Sequence, residues 1–302
     1  MASIKTVAVV GGTGDLGSKI VEQLVASGLF EVTVVTRGGK GAQIPAAVKI
    51  ITADYESVDN LAEALRGFDA VVSAVAGHLS DFQLRLLDAA IIAGVKRFIP
   101  SEFGSDTRVP KVKESPLTAG KIKVDAAIQE KVSKGLIEYT SILGGVWIDW
   151  MMGCDYCMSI PKRRFTIHDD GNFEFALTTR KAFGDAVVGA LKHHEDTRNK
   201  VLAIEVIRLT QNRIVELTKE AFPGENIELV HVKTQERYQK GIGKLLSGQF
   251  DTSVVADIVC GFVFDPEMHV FPDAEEGNRL LGVQRLTEAE FKEILKSGPF
   301  VN

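Results

Sequence analysis

A chain of 302 residues is long enough for one large domain, or for two interleaved lobes, with a sizeable core. Its 45% hydrophobic and 25% charged residues exclude a disordered chain, and 35 basic against 40 acidic residues give a net charge of -5. Without a long basic run, we expect a small-molecule partner and no binding of nucleic acid or membrane. The chain starts without a signal-peptide pattern and has no membrane-length apolar stretch, so we expect a cytoplasmic protein.

Short β-branched runs alternate with helical segments through the first half of the chain. Strands are predicted at residues 6–10, 32–36, 48–52, 70–74, 97–100, 139–143 and 201–206. Helices are predicted at residues 17–27, 58–66, 81–93, 120–133 and 180–193. Because the strands are almost entirely apolar and helices separate them, they predict a parallel sheet covered on both faces. We therefore expect an α/β fold with a doubly wound parallel sheet over residues 1–150, completed by a returning strand and helix around residues 176–206.

The remainder of the chain predicts a second lobe. Turn residues and short alternating runs follow residue 150, and helical patterns dominate from residue 210 onward. The last of these, LTEAEFKEIL at residues 286–295, contains a predicted capping box of Thr287 and Glu290. Residues 151–302 are therefore predicted to form a smaller, mostly helical, substrate-binding lobe. No linker or repeat separates it from the first domain, so we expect the two to be interleaved.

The segment GGTGDLG, directly after the first strand, has the glycine spacing of a dinucleotide-binding turn. Glycines allow a sharp turn, a close approach to a pyrophosphate and packing of the next helix, whose amino-terminal amides stabilise the anion. The alternative is a structural turn of similar spacing, but the strand before it and the helix after it favour a nucleotide. The residues predicted to bind the pyrophosphate are Gly11, Gly12, Thr13, Gly14, Asp15, Leu16 and Gly17.

The end of the second strand indicates which dinucleotide binds. Proteins that prefer NAD place an Asp or Glu about 20 residues after the glycines. This chain has Arg37 and Lys40 there, with no acid between Glu31 and Asp54. An arginine can bind a 2′-phosphate through two hydrogen bonds, whereas a carboxylate would repel it. The sequence therefore predicts NADPH/NADP+ as the cofactor, the alternative being a solvated basic loop.

A lysine is the best candidate for proton transfer. Ordinary short-chain dehydrogenases and sugar epimerases use Tyr-x-x-x-Lys, but none of the four tyrosines here is followed by a lysine four residues later. On a helix, Lys121 heads an inward stripe that continues through Val124, Ile128 and Val132. Partial desolvation would favour the neutral amine of Lys121, which makes it a usable general acid or base. The alternative is a structural lysine that extends to the helix edge.

The cysteines give no sign of a disulfide framework or of a metal site. Their odd number, Cys154, Cys157 and Cys260, fits a reducing compartment. Cys154 and Cys157 form a single CxxC, with neither a second pair nor histidines at zinc-site spacing. We interpret all three as core or surface residues.

Several stretches together carry a family resemblance. They are GGTGDLG, Arg37 at a strand end, SAVAGHLSDFQLRLLDAAIIAGVKRFIPSEFG at residues 73–104 and GKIKVDAAI at residues 120–128. The chain resembles the NmrA-like, isoflavone reductase-like group of atypical short-chain dehydrogenases, particularly its fungal-type members. That group includes pinoresinol-lariciresinol and phenylcoumaran benzylic ether reductases. The resemblance implies an NAD(P)-binding Rossmann fold, NADPH as the hydride donor and Lys121 as the catalytic lysine.

The resemblance also implies further site residues. Ser101, Glu102 and Phe103 would line the nicotinamide side of the cofactor, and Arg37 with Lys40 would hold the 2′-phosphate. The segment GGVWIDWMMGCDYC departs from the plant enzymes, so the family's substrates do not carry over. The bulky side chains of this segment are expected to line an aromatic substrate pocket, although such side chains more often belong to the core; they are Trp147, Trp150 and Met151.

The leading hypothesis is therefore an NADPH-dependent reductase of a small aromatic or phenolic secondary metabolite, working as a monomer or homodimer. The alternative is a non-catalytic, NADP(H)-sensing regulator of the NmrA-like type. A lysine at the expected position favours the enzyme.

Overall fold

The computed structural model describes residues 3–38, 44–152, 157–268 and 273–297. Its strands are β1 (Thr6–Val10), β2 (Glu31–Thr36), β3 (Lys49–Thr52), β4 (Ala70–Ser73), β5 (Arg97–Ile99), β6 (Glu138–Gly144), β7 (Val146–Trp147), β8 (Met158–Ser159), β9 (Arg164–His168), β10 (Glu174–Thr178), β11 (Lys200–Ile204), β12 (Ile207–Thr210) and β13 (Glu228–Val232). Its helices are α1 (Asp15–Ser27), α2 (Val58–Ala64), α3 (Ser80–Ile92), α4 (Pro110–Lys113), α5 (Ala119–Ser133), α6 (Ile148–Met151), α7 (Arg180–Lys192), α8 (Gln211–Ala221), α9 (Thr234–Leu246), α10 (Thr252–Phe264), α11 (Glu275–Leu281) and α12 (Glu288–Ser297).

The central sheet has seven strands in the order β11-β6-β5-β4-β1-β2-β3, and every neighbouring pair is parallel. The predicted α/β fold with a doubly wound parallel sheet is therefore confirmed. All seven predicted strands are present, with bounds within two residues of those expected. The agreement follows from their composition, because β-branched runs without polar positions suit strands that are buried on both faces.

Helices cover both faces of this sheet, and the side chains of β1 show how. Val7 and Val9 belong to the apolar cluster that includes α1 and α7, which pack against each other. Ala8 and Val10 point the opposite way, into the cluster formed with α2, α3 and α5. Because side chains alternate along a strand, β1 contributes side chains to the apolar clusters on both faces of the sheet.

The strand order reverses between β1 and β4, and this is where doubly wound sheets bind ligands. Gly11 follows β1 and has a φ of +82°. A Cβ at Gly11 would lie 2.6 Å from the main-chain oxygen of Ala74, which follows β4. The loops after these two strands therefore lie against each other at the carboxyl edge of the sheet.

The second lobe contains more strand than the mostly helical lobe that was expected. Its helices α8, α9, α10 and α12 accompany two three-stranded sheets, β12-β10-β7 and β13-β9-β8. Strands as short as β7 and β8, of two residues each, contain too few positions for a clear alternation of apolar and polar residues. The capping box forms as predicted, since the main-chain N–H of Thr287 donates to the Glu290 carboxylate and that of Glu290 to the Thr287 hydroxyl. Among the described helices, none combines the length and apolar character needed to cross a bilayer.

Candidate active site

The glycine-rich loop between β1 and α1 forms one side of the site. Gly14 precedes α1 in an extended conformation, and no side chain caps the helix. The main-chain N–H of Gly14 donates to the oxygen of Gly11 over 3.0 Å, which closes the turn. A Cβ at Gly17 would lie only 2.1 Å from that same oxygen, so a glycine is required there. The amides at the start of α1 and the helix dipole fit an anion such as a pyrophosphate.

Arg37, directly after β2, lies beside this loop on the surface of the protein. Its guanidinium carbon is 5.6 Å from the centroid of the Tyr55 ring. The Tyr55 hydroxyl donates to the main-chain oxygen of Val35 over 3.0 Å, and its ring stacks on Phe82. Burial, partly opposed by Arg37 and by the Gly11 amide, raises the pKa of Tyr55 to about 12, so the phenol stays neutral. Arg37 makes no ion pair with any carboxylate in the described ranges, and its donors suit a phosphate.

Lys121 lies in the first turn of α5 and extends to the turn after β5. Its Nζ donates to the main-chain oxygen of Glu102 over 2.6 Å and is 3.5 Å from the Glu102 carboxylate. A Cβ at Gly77 would lie 3.7 Å from the Lys121 Cε, so the lysine is also next to the loop after β4. Val124 and Ile128 are buried on the same helix face, as the predicted stripe requires.

Glu102 and Lys121 form a pair in which Glu102 is buried and Lys121 is partly exposed. The Glu102 side chain is 7% exposed and that of Lys121 is 21% exposed. Burial raises the pKa of Glu102, while the charge and hydrogen bond of Lys121 act in the opposite direction. Lys121 is therefore the member of the pair that solvent, or a substrate, can reach.

The turn after β5 is held firmly by its neighbours. The Ser101 hydroxyl donates to the main-chain oxygen of Val75 over 2.7 Å, and the Ser101 amide donates to Gln83 Oε1 over 3.0 Å. Phe103 has a φ of +30°, which is unfavourable for a residue with a side chain. The Trp147 indole N–H donates to the main-chain oxygen of Phe103 over 3.0 Å. Such backbone strain persists only where neighbouring residues hold it. Here those neighbours hold the turn whose Glu102 main-chain oxygen accepts from Lys121.

The residues expected to line a substrate pocket do not all lie together. Trp147 is half-buried beside the turn after β5, with its ring centroid 5.8 Å from that of Phe183. Met151 is only 2% exposed and packs in the core. Lys40 and the side chain of Trp150 lie outside the described part of the chain. Their assignments, and that of Met151, stay predictions.

Two residues support the site without having been assigned to it from the sequence. Tyr55 contacts Arg37 as described above, and the only signal for it was an aromatic residue following the third strand. Gln83 is fully buried in α3, and its Oε1 accepts from the Ser73 hydroxyl and from the Ser101 amide. It thereby joins the ends of β4 and β5. A polar residue on the buried face of a helix is the pattern that could have identified it.

Comparison with known proteins places the chain in a family. Residues 3–294 match the NmrA-like family. The chain belongs to this family. The family predicted from the sequence is therefore confirmed, and the match spans both the central sheet and the second lobe.

Characterised relatives of this NmrA-like protein include fungal and plant enzymes. It is 30% identical to the oxidoreductase aprR of Aspergillus flavus, over 80% of this chain and 82% of the relative. It is 28% identical to a bifunctional pinoresinol-lariciresinol reductase of Forsythia intermedia, over 76% of this chain and 80% of that enzyme. With such relatives the protein is an oxidoreductase, and the prediction of an enzyme is confirmed.

Solved structures share the fold over almost the whole length. The complex of AtPrR2 with NADP+ and (+)pinoresinol matches 98% of this chain and 100% of its own, with a TM-score of 0.76 and 22% identity. The leucoanthocyanidin reductase-NADPH complex from Vitis vinifera matches 96% of this chain and 99% of its own, with a TM-score of 0.77 and 20% identity. At this identity the likeness establishes the Rossmann-type architecture.

Proposed function

We propose that this NmrA-like oxidoreductase is an NADPH-dependent reductase of a small aromatic or phenolic metabolite, with Lys121 as its general acid. The observation that carries the proposal is the position of Lys121. Its Nζ lies at the carboxyl edge of the sheet, held by Glu102 and adjacent to the loop after β4, beside the point where the strand order reverses.

NADP(H) fits the residues at this edge, and when bound it supplies the hydride. The uncapped start of α1 would hold the pyrophosphate, and Arg37 would hold the 2′-phosphate. No carboxylate follows β2 to favour NAD. The same architecture holds NADP+ in the AtPrR2 complex and NADPH in the leucoanthocyanidin reductase complex, which supports this choice.

Lys121 orients the substrate oxygen and donates a proton to it from Nζ. An ammonium group has three donors, so the two hydrogen bonds to Glu102 leave one donor for a substrate. The carboxyl group of Glu102 lies 3.5 Å from the Lys121 Nζ. Because the Lys121 side chain is 21% exposed, solvent replaces the proton after turnover.

An aromatic substrate is supported by the side chains near this lysine. Trp147, Phe103 and Phe183 pack edge to face beside the turn that holds Lys121, with ring centroids 5.5 to 5.8 Å apart. Trp147 is partly exposed and can contact an aromatic ring of a substrate. Relatives of this chain are named pinoresinol-lariciresinol reductases, and the AtPrR2 complex contains pinoresinol.

The test compares Lys121→Met with Lys123→Met, two lysines on the same helix. Lys123 is 61% exposed and pairs with Asp81 over 2.8 Å, so its loss controls for removal of a charge from α5. NADPH oxidation is followed with a panel of phenolic and quinone substrates, and NADPH binding is measured separately. We expect Lys121→Met to bind NADPH normally and to lose about 10²- to 10⁴-fold in kcat, with Lys123→Met unchanged.

Normal turnover by Lys121→Met would contradict the assigned role of the lysine. The regulator hypothesis would be favoured instead if the wild-type protein bound NADPH, oxidised it with no substrate of the panel and formed a stable complex with another protein.

A further inference from the structure

Asp149, two residues after Trp147, forms a buried ion pair with Arg180 at the start of α7. The Arg180 Nε donates to Asp149 Oδ2 over 2.8 Å, and the Arg180 main-chain N–H donates to the same oxygen over 3.3 Å. The side chains of Arg180 and Asp149 are only 3% and 7% exposed. The pair therefore joins α6, which contains Asp149, to the first turn of α7.

This ion pair is poorly suited to stabilising the fold. The Asp149 Oδ1 atom is buried and has no hydrogen-bond partner in the described part of the chain, and neither has the buried hydroxyl of Thr178 just before α7. Removing such polar atoms from water costs free energy that a hydrogen bond would normally offset. Apolar side chains of similar volume often stabilise a fold as well as a buried ion pair does. The pair therefore points to a role in orientation rather than in stability.

The element that the pair orients is the segment around Trp147. Strand β7 runs parallel to β10, with Trp147 opposite Thr178, and the ion pair lies two residues further along both segments. Phe183 follows Arg180 by three residues, so the two side chains lie on the same side of α7. The Phe183 ring packs edge to face against Trp147, with the centroids 5.8 Å apart. The start of α7 thus holds both the main chain and the ring of Trp147.

Trp147 in turn holds the oxygen to which Lys121 donates. The indole N–H donates to the main-chain oxygen of Phe103 over 3.0 Å, and Phe103 has an unfavourable φ of +30°. The main-chain oxygen of Glu102, which precedes Phe103, accepts from the Lys121 Nζ over 2.6 Å. A change in the φ of Phe103 rotates the peptide group that contains this oxygen. Because a strained φ persists only where its neighbours hold it, loss of the indole hydrogen bond would turn the oxygen away from the lysine.

We propose that Arg180 and Asp149 are positioning residues for the reaction proposed above. By fixing Trp147 they hold the Phe103 turn, and with it the orientation of Lys121. This role rests on the proposed function of Lys121 as the general acid. Its effect on the rate is large for residues outside the site, since a displacement of about 1 Å can slow a reaction about 10²-fold.

The test replaces both members of the pair at once, as Asp149→Leu with Arg180→Met, so that no unpaired charge is left buried. Asp257→Leu with Arg237→Met is the matched control, because the Arg237 Nε also donates to its aspartate over 2.8 Å but joins α9 to α10. We expect Asp149→Leu/Arg180→Met to fold, to keep its Kd for NADPH and to lose about 10- to 100-fold in kcat. The control pair should leave kcat unchanged.

Trp147→Phe tests the step between the ion pair and the lysine. Phenylalanine keeps a ring for Phe183 and for a substrate but has no N–H, so kcat should fall by a similar factor. If the pair acts through this hydrogen bond, all three substitutions together should cost no more than Trp147→Phe alone. A pair with a merely structural role would give losses that multiply.

Hydrogen exchange of the Trp147 indole N–H, measured by NMR without NADPH or a substrate, reports on the same contact. The chain has two tryptophans, so the resonance that is missing from Trp147→Phe identifies it. Exchange should be at least about tenfold faster in Asp149→Leu/Arg180→Met than in the wild-type protein.

An unchanged exchange rate would overturn the positioning role. So would a wild-type kcat of Trp147→Phe or of Asp149→Leu/Arg180→Met when Lys121→Met is inactive, and the first of these variants does not depend on removal of the ion pair. Normal turnover by Lys121→Met would instead refute the proposed function itself, whatever the exchange rate.

Discussion

Replacement of Arg37 by glutamine tests the cofactor choice most directly. Arg37 follows β2, is exposed and makes no ion pair with a described carboxylate, so its removal breaks no salt bridge within those ranges. Its guanidinium lies over the Tyr55 ring, which is held by the main-chain oxygen of Val35 and by Phe82. The Tyr55 ring therefore keeps its position when the charge of Arg37 is removed. We expect the variant to fold and to bind NADPH less tightly.

The size of the effect follows from the exposure of Arg37. A hydrogen bond to a charged group contributes about 1.5–3 kcal/mol, and solvent screening of an exposed arginine puts this case at the lower end. A loss of about 1.4 kcal/mol corresponds to a tenfold weaker Kd. NADH carries no 2′-phosphate, so its Kd should stay unchanged. The difference for NADPH should shrink at high ionic strength, because about 1 M salt reduces the Debye length to about 3 Å.

Calorimetric titration of the wild-type protein and the variant with NADPH and with NADH, at low and at high salt, measures these Kd values. Arg66→Gln is the matched control, since Arg66 is exposed at the end of α2 and pairs only with nearby Glu63 among the described residues. An equal weakening of NADPH and NADH, or an unchanged Kd for NADPH, would refute the assignment of Arg37 to the 2′-phosphate.

Urea unfolding tests two other features. Gly17→Ala should lower the free energy of unfolding by about 1–3 kcal/mol, because its Cβ would lie 2.1 Å from the Gly11 main-chain oxygen. Gly14→Ala is the control, since its Cβ would lie 3.4 Å from the same oxygen and its free energy of unfolding should hardly change. Equal stability of the two variants would contradict this. Asp69 is partly desolvated, yet hydrogen bonds from Lys96 and from the start of β1 lower its pKa to about 2. Because this is below the unfolded value of about 3.9, the ionised form stabilises the fold above about pH 4, and the stabilisation is lost as the pH falls toward 2. Asp69→Asn should therefore cost about 1 kcal/mol at neutral pH and nothing near pH 2, and a pH-independent cost would exclude this mechanism.

Most of the central domain could be predicted from the sequence because its signals are local. Continuous β-branched runs identify buried parallel strands, and the glycine spacing after β1 requires a tight turn and a closely packed helix. The position of Lys121 at the head of a buried helix stripe could be predicted for the same reason, since its position relative to Val124 and Ile128 depends only on the helical period. The strands of the second lobe were harder to predict, because segments such as β8, of two residues, are too short to show a period.

By itself, then, the sequence determined the order of strands and helices in the central sheet, the glycine-rich turn after β1 and the position of a lysine at the head of α5. The tertiary structure decided which distant residues meet. It brought Glu102 to Lys121 and Tyr55 to Arg37. The physical reason is that a periodic pattern states which side of an element is buried, whereas the partner on that side depends on how separate elements pack together.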